Sequence, residues 1–458
     1  MIKDRRSFAR TWIPSLLIAF IFLVLVNRSY GKDDSNSSPR NTGEFKDADS
    51  RVNNPTSSQD TAKPPNTNEA FAYYQKEYNA ADVSRHAKNV DKLKRFLRCK
   101  TNATCAKSER TVLILGSSHF ENALKGHTSG EHIWARSVMH SLDLLGYTYL
   151  LASDERESWA LYQVVGSETK MVIMEDIAVE RCWDGRVRGE GYECIATPAR
   201  PFDMPVWKLF SFDFWAGGNH PLGSEWQLSP ENYKATKPYT STTYLGYSIE
   251  NWCKKVPFVN QRQNRVYLLA KHAGYVKESV IDMSIVQTLS QEGVKFVMGG
   301  GEPNESIWPD VQNFGTLTQP QFHLELSKSK VLMGLRNPST SPSPYDALCL
   351  GVAFVNPIIS YNRENPLDES HWELQQPFLK YVGEPYVYNV HADNKTEVMD
   401  AIRRAMTAPQ FDRKILAHMT TQAAKERLLR IVNTDWRAKA RTVTDVFSEF
   451  GGDRVFII

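Results

Sequence analysis

The chain has 458 residues, 41% hydrophobic and 11% aromatic, which is enough for two or three domains with sizeable cores. Its 55 Lys and Arg against 52 Asp and Glu leave a net charge of +3, so no basic field marks nucleic acid as a partner. Composition describes a globular protein and excludes little else.

The N-terminus is more informative. Lys3, Arg5, Arg6 and Arg10 precede an apolar run from Trp12 to Val26. The run is short for a membrane span and allows a cleaved signal peptide, but no small-x-small cleavage site follows it. The pattern favours an uncleaved signal-anchor: a cytosolic tail at 1–10, a membrane helix at 11–29 and a lumenal remainder, single-pass type II. Residues 30–85 begin with a Ser-, Asn-, Asp- and Pro-rich stretch that cannot bury enough surface to fold and read as a flexible stem. A lumenal chain can form disulfides. Cys99 with Cys105, and Cys182 with Cys194, are near neighbours suited to small loops, although six cysteines allow fifteen connectivities. Cys349 is expected as a free thiol on a buried helix. No Cys-x-x-Cys occurs, so no zinc site is expected. Beyond the stem, sequons at Asn102, Asn304 and Asn394 agree with this topology.

The folded region opens with helical character up to Arg98. Residues 110–116 (RTVLILG) predict a strand ending in glycine, as at the start of a Rossmann-like half. A long polar loop leads to a helix from Ile133 to Gly146, then strands at YTYLLAS and KMVIMED. Gly116-Ser-Ser-His lacks the G-x-G-x-x-G spacing, so a nicotinamide or flavin site is not expected. Residues 183–252 look irregular and aromatic. A second α/β pattern starts at Arg265–Lys271, with a helix over Ser279–Gln291, strands at KFVMGG and VQNFGTLT, and a helix over Gln321–Lys328. Next comes strand, Pro/Ser-rich loop, helix and strand over Val331–Pro357. That unit leaves free N–H groups of a helix start facing a crevice. A strand at PYVYNV, a helix over Lys395–Ala408 and a helical tail complete the chain. The expectation is therefore α/β: two Rossmann-like domains facing across a crevice, 86–260 with the acceptor and 261–408 with the nucleotide-sugar, followed by a helical tail at 409–458. This is the GT-B arrangement of sugar-nucleotide glycosyltransferases.

Glycosyl transfer needs a base for the acceptor hydroxyl and stabilisation of the leaving diphosphate. Glu131, at a helix start beside the crevice, can be that base or merely complement the helix dipole. Lys271, after the first strand of the second half, can neutralise a phosphate or be solvated. Asp346 can accept from ribose hydroxyls or cap its helix. Thr316-Leu317 can offer backbone groups to a base ring or simply pack. Trp226 can stack on an acceptor sugar or lie in the core. The globular region holds no Asp-x-Asp, so no metal is expected at the donor.

Two blocks, Gly130–Tyr147 and Asn313–Ile402, resemble glycosyltransferase family 18. The resemblance implies Golgi enzymes of GT-B fold that transfer GlcNAc from UDP-GlcNAc to a branching mannose of N-glycans, with inversion and without a metal. It makes Glu131, in the Gly-Glu pair, the catalytic base. It also turns Lys271 and the loop of Pro342, Ser343, Pro344, Tyr345 and Asp346 toward UDP. This chain departs from the family pattern at Thr340-Ser341-Pro342, where the family has Glu-Gly-Pro. It departs again at Asp346, where the family has glutamate, and at Ile358, where a lysine is expected. Another UDP-sugar donor or acceptor, or a glycan-binding scaffold without activity, are the alternatives these departures leave.

Overall fold

The computed structural model describes residues 83–183, 194–215, 217–235, 241–302, 308–449 and 456–458. Of two compact units, Met1–Ala62 and Lys63–Ile458, all described residues belong to the second. The expected tail, anchor and nearly all of the stem lie outside the described residues, as does Asn304. Among the described residues no helix is long and apolar enough to cross a membrane.

Helix α1 (Val83–Thr101) precedes the first half. Strand β1 (Val112–Gly116) is buried at every position, as a strand covered on both faces must be. Around it stand β2 (Thr148–Leu151), β3 (Thr169–Met174), β4 (Leu209–Phe212), β5 (Gln227–Ser229) and β6 (Thr243–Tyr244), in the order β2-β1-β3-β4-β5-β6. Every pairing is parallel. The strands β4 to β6 lie where the sequence looks irregular. They have only four, three and two residues, too few for a period to show. The connecting helices are α2 (Ser118–Leu124), α3 (Gly130–Leu145), α4 (Glu155–Val165) and α5 (Asp176–Trp183). Helix α2 occupies the expected polar loop, started by Ser117, whose hydroxyl accepts from the His119 N–H.

The second half follows at β7 (Arg265–Leu268), with α6 (Ala273–Lys277), α7 (Ile285–Gln291), β8 (Lys295–Met298), β9 (Val311–Asn313), α8 (Gln319–Ser327), β10 (Val331–Met333), α9 (Ser343–Cys349) and β11 (Ala353–Ser360). Helix α7 starts six residues later than expected. The hydroxyl of Ser279 and the carboxylate of Asp282 bind nearby backbone N–H groups, which favours turns over helix. Strands β12 (Glu373–Leu374) and β13 (Val387–His391) and helix α10 (Lys395–Thr407) complete this half. The sheet runs β12-β11-β10-β7-β8-β9, with β13 also paired to β11. All pairings but β11–β12 are parallel. The strand order reverses between β7 and β10, and ligands of doubly wound sheets bind beyond the carboxyl ends of the strands at such a point.

The tail helices α11 (Thr421–Asn433) and α12 (Trp436–Glu449) return to the first half. Arg427 donates to the Leu245 carbonyl at 2.8 Å, and Trp436 packs edge-on to Phe210 at 4.9 Å.

Disulfides join Cys99 to Cys105 and Cys182 to Cys194, as the spacing suggested. The third corrects an expectation. Cys349 is not free but bonded to Cys253, whose one-turn helix (Glu250–Cys253) lies against α9 with the two Cα atoms 6.1 Å apart. The bridge spans 96 residues and ties the two halves. Replacing both cysteines by alanine is expected to cost about 5 kcal/mol on chain-entropy grounds. Denaturant unfolding would measure it, and an unchanged midpoint would remove the bridge from the stability of the fold.

Candidate active site

The two sheets meet at a cleft of about 420 Å³. The second half supplies its floor. Lys271 follows β7, Gly299 and Gly300 follow β8, Thr316 and Leu317 follow β9, and Ser343 and Asp346 come from the first turn of α9. Gly300 is required where it stands, because a Cβ there would lie 2.2 Å from the Lys271 carbonyl oxygen. Asn313 holds the same crossing by donating to the carbonyls of Gly300 and Glu302 at 2.8 and 3.0 Å. Leu269, Tyr267 and Phe322 make an apolar wall, the last two in edge-to-face contact at 5.4 Å.

The first half supplies the opposite side through the start of α3. Ser129 caps that helix, and His132 Nδ1 accepts from the Ser129 N–H at 3.2 Å, completing a capping box with histidine in the usual place of Glu or Gln. Ser129, His132 and Ile133 line the cleft; Glu131, between them in sequence, does not line it itself but is close enough to Lys271 to feel its charge. Burial alone would raise the Glu131 carboxyl. The Ser129 hydroxyl, the N–H at the helix start and the charges of His119 and Lys271 outweigh it and hold the carboxyl below its ordinary value. Lys271 thus acts on Glu131 from across the cleft. His132 is driven down to about 4, first by burial and then by its histidine neighbours His119 and His127, each with its ring centre 5.3 Å away. It is therefore neutral at physiological pH. Asp213, after β4, is raised by burial and by the Glu131 charge, although the Trp215 N–H donates to it at 3.0 Å.

Residues 207–440, just over half of the chain, match glycosyltransferase family 18. The chain belongs to that family. The alpha-1,6-mannosylglycoprotein 6-beta-N-acetylglucosaminyltransferase A of Rattus norvegicus is 23% identical over 342 residues, covering 68% of this chain and 45% of its own. Its Homo sapiens counterpart is likewise 23% identical with the same coverage. The B enzyme of Mus musculus is 30% identical over 225 residues, 44% of this chain and 27% of its own. The chain thus spans less than half the length of the curated relatives it matches. The solved structure of spinosyn rhamnosyltransferase SpnG with thymidine diphosphate aligns over 73% of this chain and 99% of its own, at 11% identity and a TM-score of 0.33.

Within this family-18 chain, Lys271, Thr316, Leu317, Ser343 and Asp346 meet at one cavity, and Glu131 is not among its lining residues although its neighbours Ser129 and His132 are. Four other expected residues do not line it either. Pro342 is buried against Gly130. Pro344 and Tyr345 are buried in α9 away from the cleft, Tyr345 against Tyr247 of the first half, whereas Asp346 on the same helix lines it. Trp226 is fully buried and cannot meet an acceptor. It stacks on His220 and lies under Trp436 of α12, and its indole N–H donates to the Trp207 carbonyl at 3.1 Å. The exposed ring near Asp213 is Trp215. Ile358, at the expected lysine position, is buried in β11 between its partners Leu374 and His391. Asn102 and Asn394 are exposed, the latter capping α10. Sequence reasoning missed Gln319, which accepts from Arg136 of α3 at 2.5 Å across the cleft, and His323, buried with Nε2 3.3 Å from Asp346. Neither carries a local signal, since each is a polar residue on a short helix.

Behind Tyr345 lies Glu231, 1% exposed, which accepts from the Tyr247 hydroxyl at 3.2 Å. Burial pushes Glu231 up to about 8, against the hydroxyls of Tyr345 and Tyr247 and the charge of Arg427. A carboxyl raised in the fold holds its proton where the unfolded chain has released it, so stability declines from about pH 4.5 to about pH 8. Glu231→Gln is expected to flatten that decline in a series of melting temperatures against pH. Parallel curves for mutant and wild type would contradict it.

Proposed function

We propose that the chain is an inverting, metal-independent glycosyltransferase that moves GlcNAc from UDP-GlcNAc to a mannose of an N-glycan, making a β-1,6 branch. It works in the Golgi lumen, held by its N-terminal anchor. Family membership and the names of the relatives support the class of reaction. The observation that carries the reading is the placement of Glu131, a carboxylate held ionised at a helix start, across a cleft from Lys271 and the buried Asp346.

In this reading the uracil rests against the apolar side chains of Leu317 on the floor and Phe322 in the wall, and Asp346 accepts from the ribose. One oxygen of Asp346, Oδ1, is buried without a partner among the described residues, which fits a hydroxyl donor from a ligand. Lys271 and the N–H groups at the start of α9 face the diphosphate. The acceptor approaches from the side of Asp213 and Trp215. Glu131 takes the proton of the acceptor hydroxyl as its oxygen attacks the anomeric carbon from the face opposite UDP. The sugar–phosphate C–O bond breaks, and its electron pair leaves with UDP, whose added charge Lys271 offsets. A different UDP-sugar or acceptor is the second reading. It is favoured by Ile358, which closes the sheet with an aliphatic side chain where a cation facing the donor is expected.

The test is UDP release from a panel of UDP-sugars with a mixed N-glycan acceptor, with and without EDTA. Acceptor-dependent, EDTA-resistant release from UDP-GlcNAc is expected. Release from another donor alone would replace the sugar, and neither release nor UDP binding would leave a scaffold. Glu131→Gln is expected to lower turnover by about 10²–10⁴-fold with an unchanged melting temperature. Because the carboxyl is held below 4.5, the acid limb of kcat/KM should fall below that pH. A limb near neutrality would give the base role to a histidine.

A further inference from the structure

The first half carries a second concavity, of about 270 Å³, at the edge of its sheet opposite the cleft, where β1, β3 and β4 begin. Its rim is basic. Lys107, Arg110 and Lys170 surround Lys208, and the one carboxylate among the lining residues is Glu168, already engaged by Lys100 at 3.2 Å. Lys208 is only 6% exposed. Its ammonium lies 5.2 and 5.5 Å from the ring centres of Trp207 and Tyr162, and no carboxylate among the described residues is within ion-pair distance of it. Aromatic faces replace only part of the hydration that an ammonium loses on burial. Burial, with the charges of Lys170 and Arg437 and against that of Glu168, accordingly pulls Lys208 down to about 8.

A second deficit sits beside the first. Thr169, the opening residue of β3, also lines this cavity. It is 1% exposed, and its hydroxyl has no hydrogen-bond partner among the described residues. A buried hydroxyl left unpaired is costly, and such groups in native folds ordinarily find a partner. An ammonium short of counter-charge and a hydroxyl short of a partner therefore share one basic cavity. A single oxyanion answers both.

We infer that this cavity binds a sulfate or phosphate monoester. Lys208 is its counter-ion, the Thr169 hydroxyl donates to an ester oxygen, and Lys170, Lys107 and Arg110 close the field around it. The half-buried Trp207 ring is the surface on which a sugar bearing that ester rests. The site is separate from the cleft and does not depend on the transfer reaction proposed there.

The test is calorimetric titration of the full chain with glucosamine 6-sulfate and, separately, with inorganic sulfate, at constant ionic strength against chloride. Wild type, Lys208→Met and Thr169→Val are compared. Saturable binding by the wild type is expected, weakened about tenfold or more by the nearly isosteric Thr169→Val and further by Lys208→Met. Tighter binding of the sugar ester than of the inorganic ion assigns the site to saccharides, and equal binding assigns it to the free oxyanion. No heat beyond the chloride control, or equal binding by wild type and Thr169→Val, overturns the inference.

Discussion

At Gly130 the start of α3 packs closely on Phe214 of its own half and comes into contact with Pro342 of the other. A Cβ at that position would lie 3.0 Å from two atoms of the Phe214 ring and 3.4 Å from Cδ of Pro342. Phe214 follows β4 of the first sheet, and Pro342 precedes α9 of the second. This contact fixes where α3 begins, and with it where Glu131 stands. The helix start brings its N–H groups, the Ser129 cap and the positive end of its dipole to the carboxylate. The same approach brings Lys271 near enough for its charge to act on Glu131. A residue with a side chain at position 130 would press first on Phe214 of the same half, at the start of the helix that carries Glu131.

The loop that carries Pro342 is held just as firmly. Gln375, beside β12, accepts from the Arg336 N–H and donates to the Pro338 carbonyl, both at 3.0 Å, and its own carbonyl accepts from the Thr340 N–H at 2.8 Å. Arg336 and Thr340 both have left-handed backbones, with φ of 108° and 56°. Such conformations cost of order 1–3 kcal/mol each, and persist where neighbours enforce them. A loop clamped by one side chain and its backbone delivers Ser343 and Asp346 to the cleft at a set position, so little of the ligand's binding energy is spent on ordering it.

Behind the cleft the halves are joined by buried groups rather than by surface pairs. Tyr345 of α9 meets Tyr247 edge-on at 6.2 Å, next to Glu231. Arg427 of α11 lies flush on Gly246 and over the Tyr244 ring at 4.6 Å, so the last helices of the chain close the core of the first half. The bridge from Cys253 to Cys349 runs through the same region. Two sheets joined in this way enclose a cleft whose width is set by packing, not by a free hinge.

The sequence by itself determined the α/β class and the parallel apolar strands, and it marked Glu131 and most of the side chains that line the floor of the cleft. The strands are written locally, as unbroken apolar runs such as VLILG, whereas Glu131 and Lys271 are singled out by the resemblance to family 18. It could not show β4 to β6, which are too short for any period and form only against a sheet already present. Nor could it decide which face of a residue is covered. Trp226, which in the chain can stack on a sugar or lie in the core, and Tyr345, which the resemblance turns toward UDP, are both core in the fold, because α12 and Glu231 reach them from more than a hundred residues away in sequence. Cys349 looks free for the same reason, its partner being 96 residues distant. Spacing along the chain carries information about neighbours within a few turns of helix or strand. Burial, long-range pairing and the basic cavity at the far edge of the first sheet are set by which surfaces meet, and only the tertiary structure decided those.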